Sequence, residues 1–288
     1  MKLLVTGGTG FLGRRSAEYM RALGYDVLTP THSELDITNA DNVLSWFREH
    51  RPQAVFHTAA ISDTGKCQND PVWSETINVD GCVNLARCCR EFGSKLVLCS
   101  TDQVYFGSPS PGPHREDDIL TPPNVYGGQK LRAEQQCLAI APDTVCLRLS
   151  WMYSTRQQPG EHGNFLTTLR AALEDETKPL AWPVHDRRGI TPAEAVIRQL
   201  PAALKLPGGV WNFGCENRED TYHLVQGVLK ELGLDEALAR LTPNEAAFAD
   251  APRDITLDLT KTRAAGIDFP TTREGLLQAL KEIREAAV

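Results

Sequence analysis

Leu3-Leu4-Val5-Thr6-Gly7-Gly8-Thr9-Gly10-Phe11-Leu12-Gly13 is the stretch that decides the fold. A short apolar run, Leu3–Thr6, reads as a strand, and it feeds a glycine-rich turn with a helix immediately after it. Gly8, Gly10 and Gly13 fit the G-x-G-x-x-G spacing, while Gly7, Gly10 and Gly13 fit the variant with two residues between each pair. One glycine makes the tight turn, one lets backbone approach a pyrophosphate, and one lets helix and strand pack closely. The phosphates of a dinucleotide would then sit at the positive end of the helix. Thr9, Phe11 and Leu12 belong to the same cofactor-facing turn.

Working outward, β-branched and apolar runs recur at Asp26–Leu28, Ala54–Thr58, Leu96–Cys99 and Thr144–Leu149. Amphipathic segments separate them at Arg14–Leu23, Asn39–Glu49, Ser74–Phe92 and Gly127–Ile140. Continuously apolar strands alternating with helices predict a parallel sheet covered on both faces. The expected fold is α/β, a doubly wound Rossmann sheet over residues 1–150, with a smaller C-terminal α/β part over 151–288. That second region is read as mainly substrate-binding, with some segments returning to the sheet. In it the rhythm weakens: a loop at Ser154–Gly163, helices at Asn164–Glu174, Pro192–Leu204, Thr221–Leu232 and Thr272–Ala286, and one strand at Val210–Phe213.

Bulk composition narrows the function. The 288 residues are 41% hydrophobic and 23% charged, ordinary for a globular protein. A net charge of −7 without a basic run argues against nucleic acid and anionic membranes as partners. No stretch approaches the ~18 apolar residues of a membrane span, and Met1–Gly8 has neither the core nor the cleavage site of a signal peptide. A cytoplasmic location is expected. The eight cysteines form no C-x-x-C pair and no zinc-like cluster with histidine, so they read as reduced buried thiols and no metal site is expected.

The second strand should end near Thr29–Ser33, where a carboxylate would hold the ribose of NAD. Thr29, Pro30, Thr31, His32 and Ser33 stand there instead. Ser33 can donate to a 2′-phosphate, and His32, Arg14 or Arg15 can add charge, so NADP(H) is the preferred cofactor. NAD(H) stays open through Glu34 or Asp36, either of which could reach the ribose.

Tyr126-Gly127-Gly128-Gln129-Lys130 places a phenol and an ammonium four apart, on one face of a helix start. An ammonium beside a phenol stabilises the phenolate and draws the Tyr126 pKa toward the working range. The fourth strand ends in Ser100-Thr101-Asp102, at the carboxyl edge of the sheet where ligands bind.

With these residues in hand, the chain resembles the extended short-chain dehydrogenase/reductases. It is most similar to the dTDP-4-dehydrorhamnose reductase branch, which reduces 4-keto-6-deoxy sugar nucleotides. The resemblance runs through TGGTGFLG (6–13), LDIT (35–38), HTAA (57–60), INVDG and NLA (77–86), and STDQVYFG (100–107). It continues through REDD (115–118), PNVYGGQK (123–130), LRLSWMY (147–153), GNF (163–165) and LDLTKT (257–262). It implies a catalytic triad of Thr101, Tyr126 and Lys130, with Tyr126 the proton donor. It places Asp36 and Ile37 beside the adenine and Thr58, Ala59 and Ala60 along the ribose and nicotinamide. Ser62, Asp102, Trp151, Asn164 and Phe165 become substrate-side residues, and His57 reads as structural. The implied partner is a nucleotide sugar, and the resemblance admits a homodimer.

Two other activities share the framework. An epimerase or dehydratase recycles its hydride; dehydratases tend to carry an acid beside the triad hydroxyl, but Gln103 stands where a glutamate would be expected. Ala251–Asp258 also resembles a branch that serves as the NADP-binding regulatory subunit of methionine adenosyltransferase. Gly65-Lys66-Cys67-Gln68 replaces the Asp-Lys-Ala-Glu usual in the reductases, and Ala251-Pro252 replaces an Arg-Pro pair, with Arg253 just beyond.

Overall fold

The structure, a computed structural model, describes residues 1–158, 161 and 163–286. Pro159, Gly160 and His162, within the loop expected at Ser154–Gly163, lie outside the described residues. The chain forms two compact units that alternate along the sequence. The first comprises residues 1–105, 120–149 and 197–211; the second comprises 106–119, 150–196 and 212–288.

The first unit is built on β1 (Lys2–Thr6), β2 (Asp26–Leu28), β3 (Ala54–His57), β4 (Lys95–Thr101) and β5 (Val145–Leu149). These join with Gly209–Phe213 in a six-stranded sheet, in the order Gly209–Phe213, β5, β4, β3, β1, β2. The pairs β1–β2, β1–β3, β3–β4 and β4–β5 are parallel. Strand order reverses beside β1, which is where a doubly wound sheet opens a crevice at its carboxyl edge.

Helices α1 (Phe11–Ala22), α2 (Ala40–His50), α3 (Thr64–Asn69), α4 (Pro71–Glu75), α5 (Gly81–Phe92) and α6 (Val125–Ile140) belong to this unit. The segment read as one helix over Ser74–Phe92 is interrupted. A π-helical turn at Thr76–Asp80 joins α4 to α5 and brings Asn78 fully inside. The core under α2, α5 and α6 is formed by Val43, Phe47, Leu85, Cys89, Ala133 and Cys137 against Leu4, Val55, Leu98 and Cys146. All eight cysteines are free thiols, seven of them buried and Cys99 partly so.

The second unit uses short parallel pairs: Trp151–Tyr153 with Ile190–Pro192, Ala181–Pro183 with Thr242–Asn244, and Asp186–Arg187 with Arg253–Asp254. Its core joins Phe165, Leu169 and Trp182 to Leu224, Val228, Leu276 and Leu280. Helix α7 (Phe165–Glu174) opens on a capping box between Asn164 and Thr167. The helix read over Pro192–Leu204 splits into Ala193–Arg198 and Leu200–Ala203. Pro201 has no N–H to offer a continuous helix. Among the described residues no helix is long and apolar enough to cross a membrane.

Candidate active site

The glycine turn closes on itself and on β3. Gly7 has φ +65°, a conformation that favours glycine, and its carbonyl accepts from Gly10 N at 2.9 Å. A Cβ on Gly13 would lie 2.2 Å from that same carbonyl oxygen and 2.6 Å from Thr58 Oγ1. Helix α1 then starts at Phe11 with no side-chain cap and no acid in its first turn. An uncapped helix start behind a cradle too tight for a Cβ fits a pyrophosphate.

Thr58 and Ala59 are fixed from below. Thr58 Oγ1 donates to Thr6 O at 2.7 Å, and Thr6 Oγ1 bonds His57 Nδ1 at 2.7 Å. His57 is 1% exposed, and burial together with the nearby Lys130 ammonium holds its pKa down at about 3. It is a neutral imidazole, and its Nε2 has no hydrogen-bond partner among the described residues.

At the end of β2, Thr31, His32 and Ser33 are exposed. Glu34 Oε2 accepts from Thr31 N at 2.7 Å and Thr31 Oγ1 at 2.8 Å, which lowers its pKa. Asp36 Oδ1 likewise accepts from Thr38 Oγ1 at 2.7 Å and Thr38 N at 3.0 Å. Both carboxylates are engaged within their own turns. Ile37 is buried against Gly81, where a Cβ would meet Ile37 Cδ1 at 2.8 Å. Arg15 turns back on Phe11, donating to its carbonyl at 2.8 Å. Arg21 instead reaches the β2 end, donating to Thr29 Oγ1 at 2.9 Å. Sequence reasoning considered Arg14 and Arg15 and missed Arg21, further along the same helix.

Tyr126 and Lys130 lie in the first turns of α6, which Asn124 caps by accepting from Gly127 N at 2.6 Å. Thr101 ends β4, and its hydroxyl donates to Asp102 Oδ1 at 3.2 Å. Asp102 opens a 3₁₀ turn, Asp102–Tyr105, and is 1% exposed. Burial raises the Tyr126 pKa and Asp102 adds to the rise, while Lys130 and the Thr101 hydroxyl pull it down. Lys130 acts in the direction expected, but burial outweighs it, and the phenol keeps its proton at neutral pH. Lys130 is itself buried, a cost outweighed by Cys82, Tyr126, Cys99 and Glu134, which together hold its pKa above the usual value.

A second tier of buried polar groups fixes this turn of α6. Gln129 Oε1 accepts from Asn78 Nδ2 at 2.9 Å, and Gln129 Nε2 donates to Ser74 Oγ at 2.8 Å and Pro71 O at 3.0 Å. Asn78 also brackets the loop after β3, donating to Ile61 O at 3.0 Å and accepting from Ile61 N at 2.8 Å. Ala60 and Ser62 are thereby held on that loop, Ser62 exposed. Asn78 and Gln129 were assigned no role from sequence. Their signal was available: an amide between the apolar Ile77 and Val79, and another between Tyr126 and Lys130.

In the second unit, Trp151 is 37% exposed. Phe165 lies behind it edge-on at 5.8 Å, and the Arg188 guanidinium sits 5.1 Å from its ring centroid. Phe165 is fully buried, and Asn164 spends its side chain capping α7. Arg253, beside the Ala251-Pro252 departure, donates to Asp186 Oδ1 at 2.7 Å and covers the Phe248 ring at 4.2 Å. Among the described residues no group of histidine, cysteine and acidic side chains is arranged to hold a metal.

A parallel sheet with a glycine turn at its switch point, and a Thr–Tyr–Lys set at its carboxyl edge, defines a dinucleotide-binding α/β protein. The family model described as the RmlD substrate binding domain matches residues 1–285, and the chain belongs to that family. It is 32% identical to a dTDP-4-dehydrorhamnose reductase of Streptomyces griseus over 92% of this chain and 88% of that one. It is 30% identical to a dTDP-4-keto-6-deoxy-D-glucose reductase of Streptomyces niveus, covering 92% and 91%. Among solved structures, a dTDP-4-dehydrorhamnose reductase from Bacillus anthracis in complex with NADP superposes with a TM-score of 0.83 at 22% identity, covering 98% of both chains.

Proposed function

We propose that the protein is an NADPH-dependent reductase of a nucleotide-linked 4-keto-6-deoxy sugar. The observation that carries this reading is the Thr101, Tyr126 and Lys130 set, in the same compact unit as the glycine turn. The reductase names of the Streptomyces relatives support it and supply the substrate class. The first unit takes the dinucleotide in this reading, with the phosphates at the start of α1 and the ribose and nicotinamide along Thr58–Ala60. In the second unit, Trp151, exposed and backed by Phe165 and Arg188, is the proposed sugar-facing side chain.

Reducing a ketone adds a hydride to carbon and a proton to oxygen. The nicotinamide supplies the hydride when bound. The Tyr126 phenol, kept protonated by burial, gives its proton to the carbonyl oxygen, and the Lys130 ammonium stabilises the phenolate left behind. With substrate bound, the Thr101 hydroxyl turns from Asp102 Oδ1, donates to the same oxygen and polarises the carbonyl.

The preference for NADPH over NADH rests on the β2 end. Glu34 and Asp36 are committed to their own turns, and Arg21 with Thr29 brings positive charge and a hydroxyl close by. The cytoplasm is the proposed compartment. The test mixes protein, NADPH and dTDP-4-keto-6-deoxy sugars and follows NADPH absorbance. Loss of absorbance with one of them is expected; tight NADPH binding with no consumption across several sugars would overturn the reading in favour of a regulatory role.

A further inference from the structure

Beneath the Tyr126–Lys130 turn, α6 and β5 carry a second pair of charges that the proposed reaction does not use. Glu134, one helical turn beyond Lys130, is 1% exposed, and Arg148 on β5 is 3% exposed. Arg148 Nη2 donates to Glu134 Oε2 at 2.8 Å, and Arg148 Nε to Oε1 at 3.1 Å. The Ser100 hydroxyl donates to the same Oε1. Arg148 Nη1 donates to the Tyr105 hydroxyl at 2.8 Å, and the guanidinium lies 4.9 Å from that ring's centroid.

Three of the four members share an element or turn with a residue of the site. Ser100 precedes Thr101, Tyr105 ends the turn that Asp102 begins, and Glu134 follows Lys130 on α6. A buried ion pair is a weak source of stability, because desolvation offsets most of its attraction and an apolar pair of the same volume would serve. Its value here lies in where it puts charge.

We propose that Glu134 is a positioning residue: its carboxylate cancels the Arg148 charge and anchors Ser100, leaving the Lys130 ammonium to set the positive field at the Tyr126 phenol. The inference rests on Tyr126 being the proton donor of the proposed reductase. Tyr126 and Lys130 are also faced by His57 of β3, Cys67 of α3, Cys82 of α5, Cys99 of β4, Asp102, Cys137 of α6 and Cys146 of β5. Burial keeps the imidazole neutral and pushes the thiols up, Cys99 to about 12. The charges that remain are those of Lys130, Asp102, Glu134 and Arg148.

Glu134→Gln preserves shape and the Ser100 contact while removing one negative charge. The uncancelled guanidinium then favours the phenolate. The Tyr126 titration midpoint, read as tyrosinate absorbance of each protein minus its Tyr126→Phe counterpart, should fall by about one pH unit. The alkaline limb of the pH profile for reduction should move the same way, since the protonated phenol is the donor. Glu134→Gln with Arg148→Met restores neutrality and should return the midpoint close to the native one, although the hydrogen bonds are gone. A pair that only holds the fold would weaken both variants and leave the midpoint in place, which would overturn the proposal. So would a double variant that titrates with the single one. If Glu134→Gln does not fold, Arg148→Met alone should raise the midpoint by a similar amount, and an unmoved midpoint there overturns the proposal equally. The phenol titration needs no substrate, so absent turnover in the native protein would refute the reductase reading while this measurement still stands.

Discussion

Asn78 on the π-helical turn and Gln129 on α6 share a 2.9 Å hydrogen bond between fully buried amides. Through it, the loop after β3 and the turn that carries Tyr126 and Lys130 are held in one arrangement. Gln129 lies between those two residues in sequence and is fully buried, so it holds the turn from within.

Replacing Gln129 with Leu removes three bonds at once, while Asn78 Nδ2 keeps Ile61 O, Ser74 Oγ keeps Asp70 O and Pro71 O keeps Ser74 Oγ. Each lost hydrogen bond is worth about 1 kcal/mol. A loss of about 3 kcal/mol in urea-induced unfolding is expected. Gln129→Glu, which loses the amide donor, turns an acceptor toward Pro71 O and puts a carboxyl at a fully buried position, should lose at least as much.

Gly13→Ala should act on dinucleotide binding. The added methyl would meet Gly7 O at 2.2 Å, and that atom is backbone, so the turn itself must open. Affinity for NADPH, read by fluorescence titration, is expected to fall at least roughly tenfold, equivalent to about 1.4 kcal/mol. Gly24, on the same α1–β2 path, adopts φ +83°, and a Cβ there would meet nothing within 4 Å among the described residues. Its alanine variant should strain that turn locally and leave NADPH affinity unchanged.

His57 contributes a pH dependence whose sign follows from its depressed pKa. Folded His57 titrates at about 3, below its unfolded value of 6.5, so the unfolded chain takes up the proton first. The stability is present in full above the unfolded value and is lost as pH falls from there toward the folded one. Between about pH 7 and about pH 5 the loss should be ~2 kcal/mol. Comparing denaturant midpoints of the native protein and His57→Asn across that window checks this; parallel curves would remove His57 as the cause.

Much of the first unit was legible because its signals are local. Asp26–Leu28 forms with the bounds its apolar run suggests, and the glycine turn, Thr101, Tyr126 and Lys130 all fall where strand–turn–helix order puts them. The break at Asn78 was not legible, because periodicity treats Ser74–Phe92 as one amphipathic run. The cause is tertiary: the amide must meet Ile61 and Gln129, and a π turn turns it inward. The short pairs Ala181–Pro183 with Thr242–Asn244 and Asp186–Arg187 with Arg253–Asp254 were missed for another reason. Two or three residues give no alternation to read, and their partners lie some sixty residues away. Arg148 was visible as a charge inside the apolar run Thr144–Leu149, but only its pairing with Glu134 explains it.

In the proposed reduction, Tyr126 delivers the proton as the hydride is transferred. The most direct measurement supplies NADPH deuterated at its transferable position with a dTDP-4-keto-6-deoxy sugar, for the native protein and for Tyr126→Phe. The native protein should place deuterium on the former carbonyl carbon, and the variant should bind NADPH about as tightly while turning over ~10²–10⁴-fold more slowly. Full turnover by Tyr126→Phe, or a sugar left without deuterium by the native protein, would contradict the account.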